Sequence, residues 1–302
     1  MGSKYGKMEW IMEEKKEDFY TFISGATGGI GRAFAFACAK EGNVFLTGRS
    51  LEKLAKLKDE ILKKYPASKV EIYPCFLTEE SSRAELFEYI VVKGLKFSRL
   101  CNVAGADIQK SFEKYTQEKI IFQCRVNLEA TLCLTRFILS NRAPELEIVT
   151  IGSISGVYPM PYFAIYSATK NALSWFFSAL RLELRGQGVK ITTVQPGGVY
   201  TRPDIIKDIA GQGLWGKMSA KTPEYIARKS LKAVKKNKRI YFPGFWNKFI
   251  AYVPRVLPLS IRMKFIAARW GKLEKDAFPI CTEKQLSEVL VGNTENHGQD
   301  LR

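Results

Sequence analysis

Three polar side chains in the middle of the chain have the types and spacing for proton chemistry. Tyr166 opens the string Tyr166-Ser167-Ala168-Thr169-Lys170. On a helix, residues i and i+4 share a face, so Lys170 lies beside Tyr166. A free tyrosine titrates near about 10, too high for an efficient proton relay at neutral pH. A neighbouring ammonium favours the phenolate and lowers that value towards the operating range of an acid or base. Upstream, the apolar run Ile148-Val149-Thr150-Ile151 leads through Gly152 to Ser153, whose hydroxyl can hold a substrate oxygen. Taken singly, each residue also suits a plain helix start or a strand cap; the joint spacing is what favours chemistry.

A second cluster lies near the beginning of the chain. Ser24-Gly25-Ala26-Thr27-Gly28-Gly29-Ile30-Gly31 sits between an apolar run and a helical stretch. Glycine is required where the backbone turns sharply and where a phosphate must approach amide groups at a helix N-terminus. Such a turn by itself is weak evidence of nucleotide binding, but the strand before it and the helix after it are the context that function requires. The next strand ends in Thr47-Gly48-Arg49-Ser50. A site for NAD usually places an acid there, to accept hydrogen bonds from the ribose 2′-hydroxyl. Arg49 instead offers a guanidinium for paired bonds to a 2′-phosphate, with Ser50 beside it, which points to NADP(H).

The elements that must position these groups alternate in type. Strands are expected at Phe19 to Ser24, Asn43 to Thr47, Val70 to Phe76, Leu100 to Val103, Glu147 to Ile151 and Val189 to Val194. Helices fall between them, from Ile30 to Glu41 and from Leu51 to Lys64, with long ones over Gln117 to Ser140 and Tyr166 to Arg185. This alternation predicts an α/β fold with right-handed crossovers, a Rossmann-type doubly wound parallel sheet. Ligands of such sheets bind at the carboxyl ends of the strands. The expected organisation is an N-terminal extension over 1–17 and a catalytic domain over 18–220 with a lid near 202–218. A basic, aromatic-rich helical extension over 221–273 and a polar tail over 274–302 follow.

At 302 residues, 46% hydrophobic and 25% charged, the chain has the composition of an ordinary globular protein. Six cysteines without a C-x-x-C pair argue against a zinc site or a disulfide framework and for a reducing compartment. The sole histidine, His297, lies near the C-terminus, which nearly excludes histidine base or metal chemistry. No metal is expected. Without a run of 18 apolar residues or a signal-peptide core, the default location is the cytoplasm, at most peripheral to a membrane.

Taken together these motifs resemble the short-chain dehydrogenase/reductase family, from about Phe22 to Thr201. The resemblance implies that Tyr166 is the general acid or base, that Lys170 binds the nicotinamide ribose and tunes Tyr166, and that Ser153 orients the carbonyl. Asn127, in Val126-Asn127-Leu128, matches the family's helix asparagine that supports a proton relay. Asn102-Val103-Ala104-Gly105 matches the fourth-strand motif, and Asn102, Ala104 and Gly105 are carried over as cofactor contacts. Gln195-Pro196-Gly197-Gly198-Val199-Tyr200-Thr201 matches the segment in which the Val199 backbone and the Thr201 hydroxyl contact the carboxamide; Pro196 and Gly197 line the same turn. The expected phosphate cradle is Gly25, Thr27, Gly28, Gly29, Ile30 and Gly31. The chain departs from the family at Val103, where a second asparagine is common, and at Phe76, where an aspartate commonly bonds the adenine amino group. Phe76 has only ring packing to offer there. A homodimer or tetramer through the long helices is also implied.

On the substrate side, Pro159, Tyr162 and Tyr200 are candidate pocket walls, and Leu214-Trp215 belong to the expected lid, whose glycines Gly211, Gly213 and Gly216 suit hinges. The net charge of +17 is concentrated: Tyr225 to Leu273 holds 13 Lys or Arg and no Asp or Glu. Aromatics such as Phe245, Trp246, Phe249 and Phe265 interleave with these cations. Such a mix suits a membrane surface or an acyl carrier, and equally a plain extension packed on the domain. No nucleic-acid reading motif accompanies the charge. The expected activity is NADP(H)-dependent interconversion of a carbonyl and an alcohol on a lipophilic substrate, a ketone or a 3-oxoacyl compound. Its competitors are a regulatory sensor of NADP(H) and a membrane-surface protein, both without turnover.

Overall fold

A computed structural model describes residues 18–201, 203–211, 216 and 218–270. The expected N-terminal extension and polar tail, with Leu214 and Trp215, lie outside the described residues. The chain forms β1 (Phe19–Ile23), α1 (Gly29–Ala39), β2 (Asn43–Gly48), α2 (Leu51–Lys64), β3 (Val70–Pro74), α3 (Glu80–Val92) and β4 (Lys96–Asn102). Next come α4 (Gln117–Cys124), α5 (Ala130–Ser140), β5 (Arg142–Ile151), α6 (Ala164–Glu183) and β6 (Val189–Val194). They are followed by α7 (Pro203–Gly211), α8 (Pro223–Lys235), β7 (Ile240–Tyr241), α9 (Phe245–Tyr252) and α10 (Leu259–Trp270).

The seven strands form one parallel sheet in the order β3-β2-β1-β4-β5-β6-β7. Connections run outward in one direction from β1 and in the other from β4, so the switch point lies between these two strands, where doubly wound sheets open a crevice. Strand side chains alternate faces. Accordingly Phe22, Phe45, Leu100 and Ile148 enter one buried cluster with α3, α5 and α6, while Ile23, Leu46, Cys101 and Val149 enter the other with α1, α2 and α8. Because both faces are covered, the strands read as apolar runs rather than as an apolar–polar alternation.

Two features differ from the sequence pattern. First, the helix expected over Gln117 to Ser140 is interrupted by a π-helical turn, Arg125–Glu129, between α4 and α5. The wide turn surrounds the buried Asn127, whose side chain is bound to the backbone of Ala106 instead of facing solvent. Second, the sheet continues past residue 220. Thr222 caps α8 by accepting from Tyr225 N at 3.2 Å, with Pro223 in the first turn. The apolar face of α8, including Ile226, Leu231 and Val234, packs into the α1 side of the sheet. β7 then pairs with β6. The high density of lysines in this segment hides its buried face from a charge count, because the cations occupy only the solvent side. Among the described residues no helix is long and apolar enough to cross a membrane.

Candidate active site

The glycine turn and the end of β4 are locked together at the switch point. Ser24 Oγ accepts hydrogen bonds from Val103 N at 3.0 Å and Ala104 N at 3.2 Å. Gly25 adopts φ +64°, and a Cβ there would lie 2.9 Å from Ala104 Cα, so only glycine fits both the conformation and the space. The turn delivers the N-terminus of α1, which has no acidic residue in its first turn, to the mouth of a cleft. Free amide groups and the positive end of the helix dipole there suit a phosphate. Gly25, Thr27, Gly28, Gly29, Ile30 and Gly31 all line this cleft, as do Arg49 and Lys53 at its rim. The donor set and the tight glycine backbone fit a dinucleotide, with Arg49 and Lys53 available to a 2′-phosphate.

Tyr166 and Lys170 lie on α6 and face the same cleft. Lys170 Nζ donates to Ile151 O at 2.8 Å and lies 5.8 Å from the centroid of the Tyr166 ring. Ser153 follows β5, lines the same cleft and lies near enough to Tyr166 to hold its phenol value down. Its backbone N–H donates to Gln195 Oε1 at 2.8 Å, and the Gln195 amide in turn donates to Ser174 on α6. Asn127 Oδ1 accepts from Ala106 N at 2.7 Å, while its Nδ2 donates to Ala106 O at 2.9 Å and to Thr169 Oγ1 at 3.2 Å. A Cβ on Gly105 would meet Asn127 Oδ1 at 3.0 Å and Lys170 Nζ at 3.2 Å, so the β4 loop passes close over both.

The electrostatics depart from the expectation drawn from spacing. Burial pushes the Tyr166 phenol well above its ordinary value; the charge of Asp107 adds to the rise, and the Ser153 hydrogen bond opposes it. Lys170 does not counter this. Its ammonium is spent on Ile151 O, and burial lowers its own value to about 8, against a rise from Asp107. Tyr166 is therefore a phenol at neutral pH. The depressed Lys170 also makes stability pH-dependent. Its folded value lies below the unfolded 10.5, so between about pH 8 and 10.5 the unfolded chain binds more protons and stability rises with pH. Relative to Lys170→Met, the wild-type protein is expected to gain up to about 3 kcal/mol over that window. Urea unfolding of both proteins across the range measures it; a constant difference would refute a depressed Lys170.

Several expected contacts are placed elsewhere. The Asn102 side chain does not line the cleft: its Nδ2 donates to Thr135 Oγ1 at 3.2 Å and Thr150 Oγ1 at 3.3 Å, tying β4 to α5 and β5. Ser50 Oγ caps α2 by accepting from Lys53 N at 3.2 Å, and Lys53 takes the place at the rim. Phe76 is buried and does not line the cleft, whereas Cys75, Leu77 and Thr78 do. Pro159, Tyr162 and Tyr200 do not line the cleft; their neighbours Tyr158, Met160, Phe163 and Val199 do. In irregular loops the facing residue is set by tertiary contacts, and sequence offers no period to read. The expected lid begins as a helix, α7, which contributes Ile205 and Ile209.

Other site residues were not legible as such. Gln195 was visible only as part of a motif, yet it positions Ser153 through the backbone. Asn247 on α9 is buried, with Nδ2 donating to Ser219 O at 2.9 Å and Pro243 O at 2.7 Å, and its Oδ1 abuts Gly197. It joins the C-terminal segment to the Pro196–Gly197 turn, and nothing local in its sequence signals that. The whole cleft measures about 1420 Å³, more than the 300–1,000 Å³ typical of one small ligand, which leaves room for a cofactor and a substrate together.

The sequence model of the short chain dehydrogenase family matches residues 20–207. The chain is 32% identical over 206 residues to a very-long-chain 3-oxoacyl-CoA reductase-like protein of Arabidopsis thaliana, covering 65% of this chain and 64% of that one. It is 28% identical over 248 residues to the very-long-chain 3-oxoacyl-CoA reductase of Bos taurus, covering 78% and 72%. The match thus spans less than two thirds of the Arabidopsis protein. A solved 7beta-hydroxysteroid dehydrogenase superposes with a TM-score of 0.73 at 22% identity, over 82% of this chain and 96% of that one, a likeness of fold.

Proposed function

The chain belongs to the short-chain dehydrogenase family, and from that premise we propose that it is an NADP(H)-dependent reductase of lipophilic ketones or 3-oxoacyl compounds with Tyr166 as proton donor. The observation that carries the reading is the convergence of Ser153, Tyr166 and Lys170 on one cleft that also holds the glycine turn. When bound, the dinucleotide supplies the hydride. Ser153, steadied by Gln195 through its backbone N–H, orients the carbonyl oxygen by hydrogen bonding. The Tyr166 phenol gives its proton to that oxygen as the carbonyl carbon is reduced, leaving an alcohol. Lys170, lining the same cleft, would hold the nicotinamide ribose of a bound dinucleotide, while Asn127 holds the β4 loop against α6. The lipophilic character is supported by the apolar wall that α9 and α10 add to the cleft, and by the names of the acyl-CoA reductase relatives.

The test is oxidation of NADPH by a series of ketones graded from polar to long-chain, with a 3-oxoacyl thioester among them. Turnover at the lipophilic end supports the reading, and turnover confined to polar ketones rejects it. The choice of NADP over NAD rests on Arg49 and Lys53. Arg49→Glu is expected to lower the NADPH-to-NADH ratio of kcat/KM by at least about tenfold. An unchanged ratio would move the preference elsewhere.

A peripheral membrane contact is favoured by a specific observation. On α9, α10 and the turn between them, Phe245 is 74% exposed, Val256 85% and Phe265 71%, beside the exposed Lys248 and Lys264. Apolar side chains flanked by cations match an anionic bilayer surface. The 302-residue protein is expected to sediment with anionic vesicles, and the triple variant Phe245→Asp, Val256→Asp, Phe265→Asp to remain in solution. Equal partition of the two would remove the membrane from the account. The sheet-bearing unit in this reading runs from 18 to 241, because α8 packs on the sheet and β7 extends it.

A further inference from the structure

Resting on the reductase reading of the cleft, we propose that Arg262 selects substrates that carry an oxyanion away from the reacting carbonyl. The part of the cleft walled by α9 and α10 is apolar, built from Phe249, Ile250, Leu257, Ile261, Phe265 and Ile266. Among the described side chains, Arg262 is the one charged group that α10 contributes to this wall. The other charged lining residues among those described belong elsewhere: Arg49 and Lys53 to the glycine-turn end, Asp107 and Lys170 to the proton-transfer centre.

Its surroundings hold the guanidinium in place without neutralising it. The group stacks over the Tyr158 ring at 4.9 Å from the centroid. Tyr158 is itself fixed, its hydroxyl placed at 2.7 Å from Ala251 O and 3.3 Å from Ile250 O at the end of α9. Arg262 Nε is buried and has no acceptor among the described residues. No carboxylate of the described residues forms an ion pair with it. A neutral lipophile would be served equally by leucine or methionine at this position. A cation with an unsatisfied buried donor is costly in an apolar wall, and an arriving oxyanion removes the cost. The planar fork matches a carboxylate or a phosphate, and the fixed ring beneath it keeps the fork oriented. The anion has two sources, a carboxylate that ends the lipophilic chain or the phosphate of a carrier-linked thioester.

The experiment compares a long-chain oxo acid, its methyl ester and a 3-oxoacyl phosphopantetheine thioester as substrates of the wild type, Arg262→Met and Arg262→Lys. In parallel, calorimetry measures binding of the corresponding hydroxy acid and hydroxy ester in the absence of turnover. Arg262→Met is expected to raise KM for the anionic substrate about ten- to hundredfold with kcat little changed, and to leave the ester within about threefold. Arg262→Lys retains part of the preference. Loss on the oxo acid alone identifies a terminal carboxylate, and loss on the thioester alone identifies the carrier phosphate. Equal losses on acid, thioester and ester, or a wild type that binds acid and ester alike, overturn the proposal. If no ketone is reduced, the binding arm still decides: an acid preference abolished in Arg262→Met upholds anion recognition while rejecting the reductase reading.

Discussion

Tyr166→Phe is expected to lower kcat by about 10²- to 10⁴-fold, the range that a positioned general acid contributes, while NADPH binds within about threefold of the wild-type affinity. The change removes one oxygen and keeps the ring, so the edge contact with Phe163 and the packing over Lys170 survive. What disappears is the buried phenol that Ser153 acts on, and no histidine lies among the described residues to replace it. Because burial holds the phenol above its ordinary value, the wild-type group is protonated at neutral pH and donation does not depend on a prior uptake step. Single-turnover reduction with bound NADPH isolates the chemical step. Retention of more than about a tenth of the wild-type rate would remove Tyr166 from the role of donor.

A second large effect is expected from Gly31→Ala. A Cβ at Gly31 would lie 2.0 Å from Gly25 O, 2.8 Å from Gly25 C and 2.9 Å from Ala26 Cα, all backbone atoms. The turn cannot retreat, because Gly25 already rests against Ala104 on the far side and is held at φ +64°. Either α1 swings away from the sheet or the turn opens, and both displace the amide groups that would receive phosphate. Overpacking of this kind costs about 1–3 kcal/mol, and NADPH affinity is expected to fall at least about tenfold with it. Gly42→Ala is the control: nothing lies within 4 Å of its added Cβ, and its stability is expected to hold or to rise slightly. Urea midpoints and NADPH titration of the two variants measure both quantities. An intact midpoint and affinity in Gly31→Ala would mean that the turn is far looser than its contacts indicate.

Much of the site was legible because it is written in short-range spacing. The i, i+4 relation of Tyr166 and Lys170, the glycines between β1 and α1, and Arg49 at the end of β2 each depend on residues within a few positions of one another. The parallel sheet was legible for a similar reason, since apolar runs separated by amphipathic stretches leave few topologies open. β7 was not, because it has only two residues and its one partner, β6, lies far away in the chain. Nor was the buried face of α8, where the solvent-side lysines dominate the composition.

The sequence by itself determined the fold class, the location of the crevice and which polar side chains meet in it. Tertiary structure alone decided how those groups are tuned and what surrounds them. Spacing predicted that Lys170 lowers the Tyr166 value, yet burial raises it and Lys170 is spent on Ile151 O, and burial is a property of everything packed around the pair. The same holds for Asn102, whose side chain ties β4 to its neighbours and does not line the cleft, and for Asn247 and Arg262, which reach the cleft from the C-terminal helices. Local periodicity specifies which face of an element is apolar. Which distant element covers that face, and therefore the polarity and charge met by a substrate, is settled only when the elements pack.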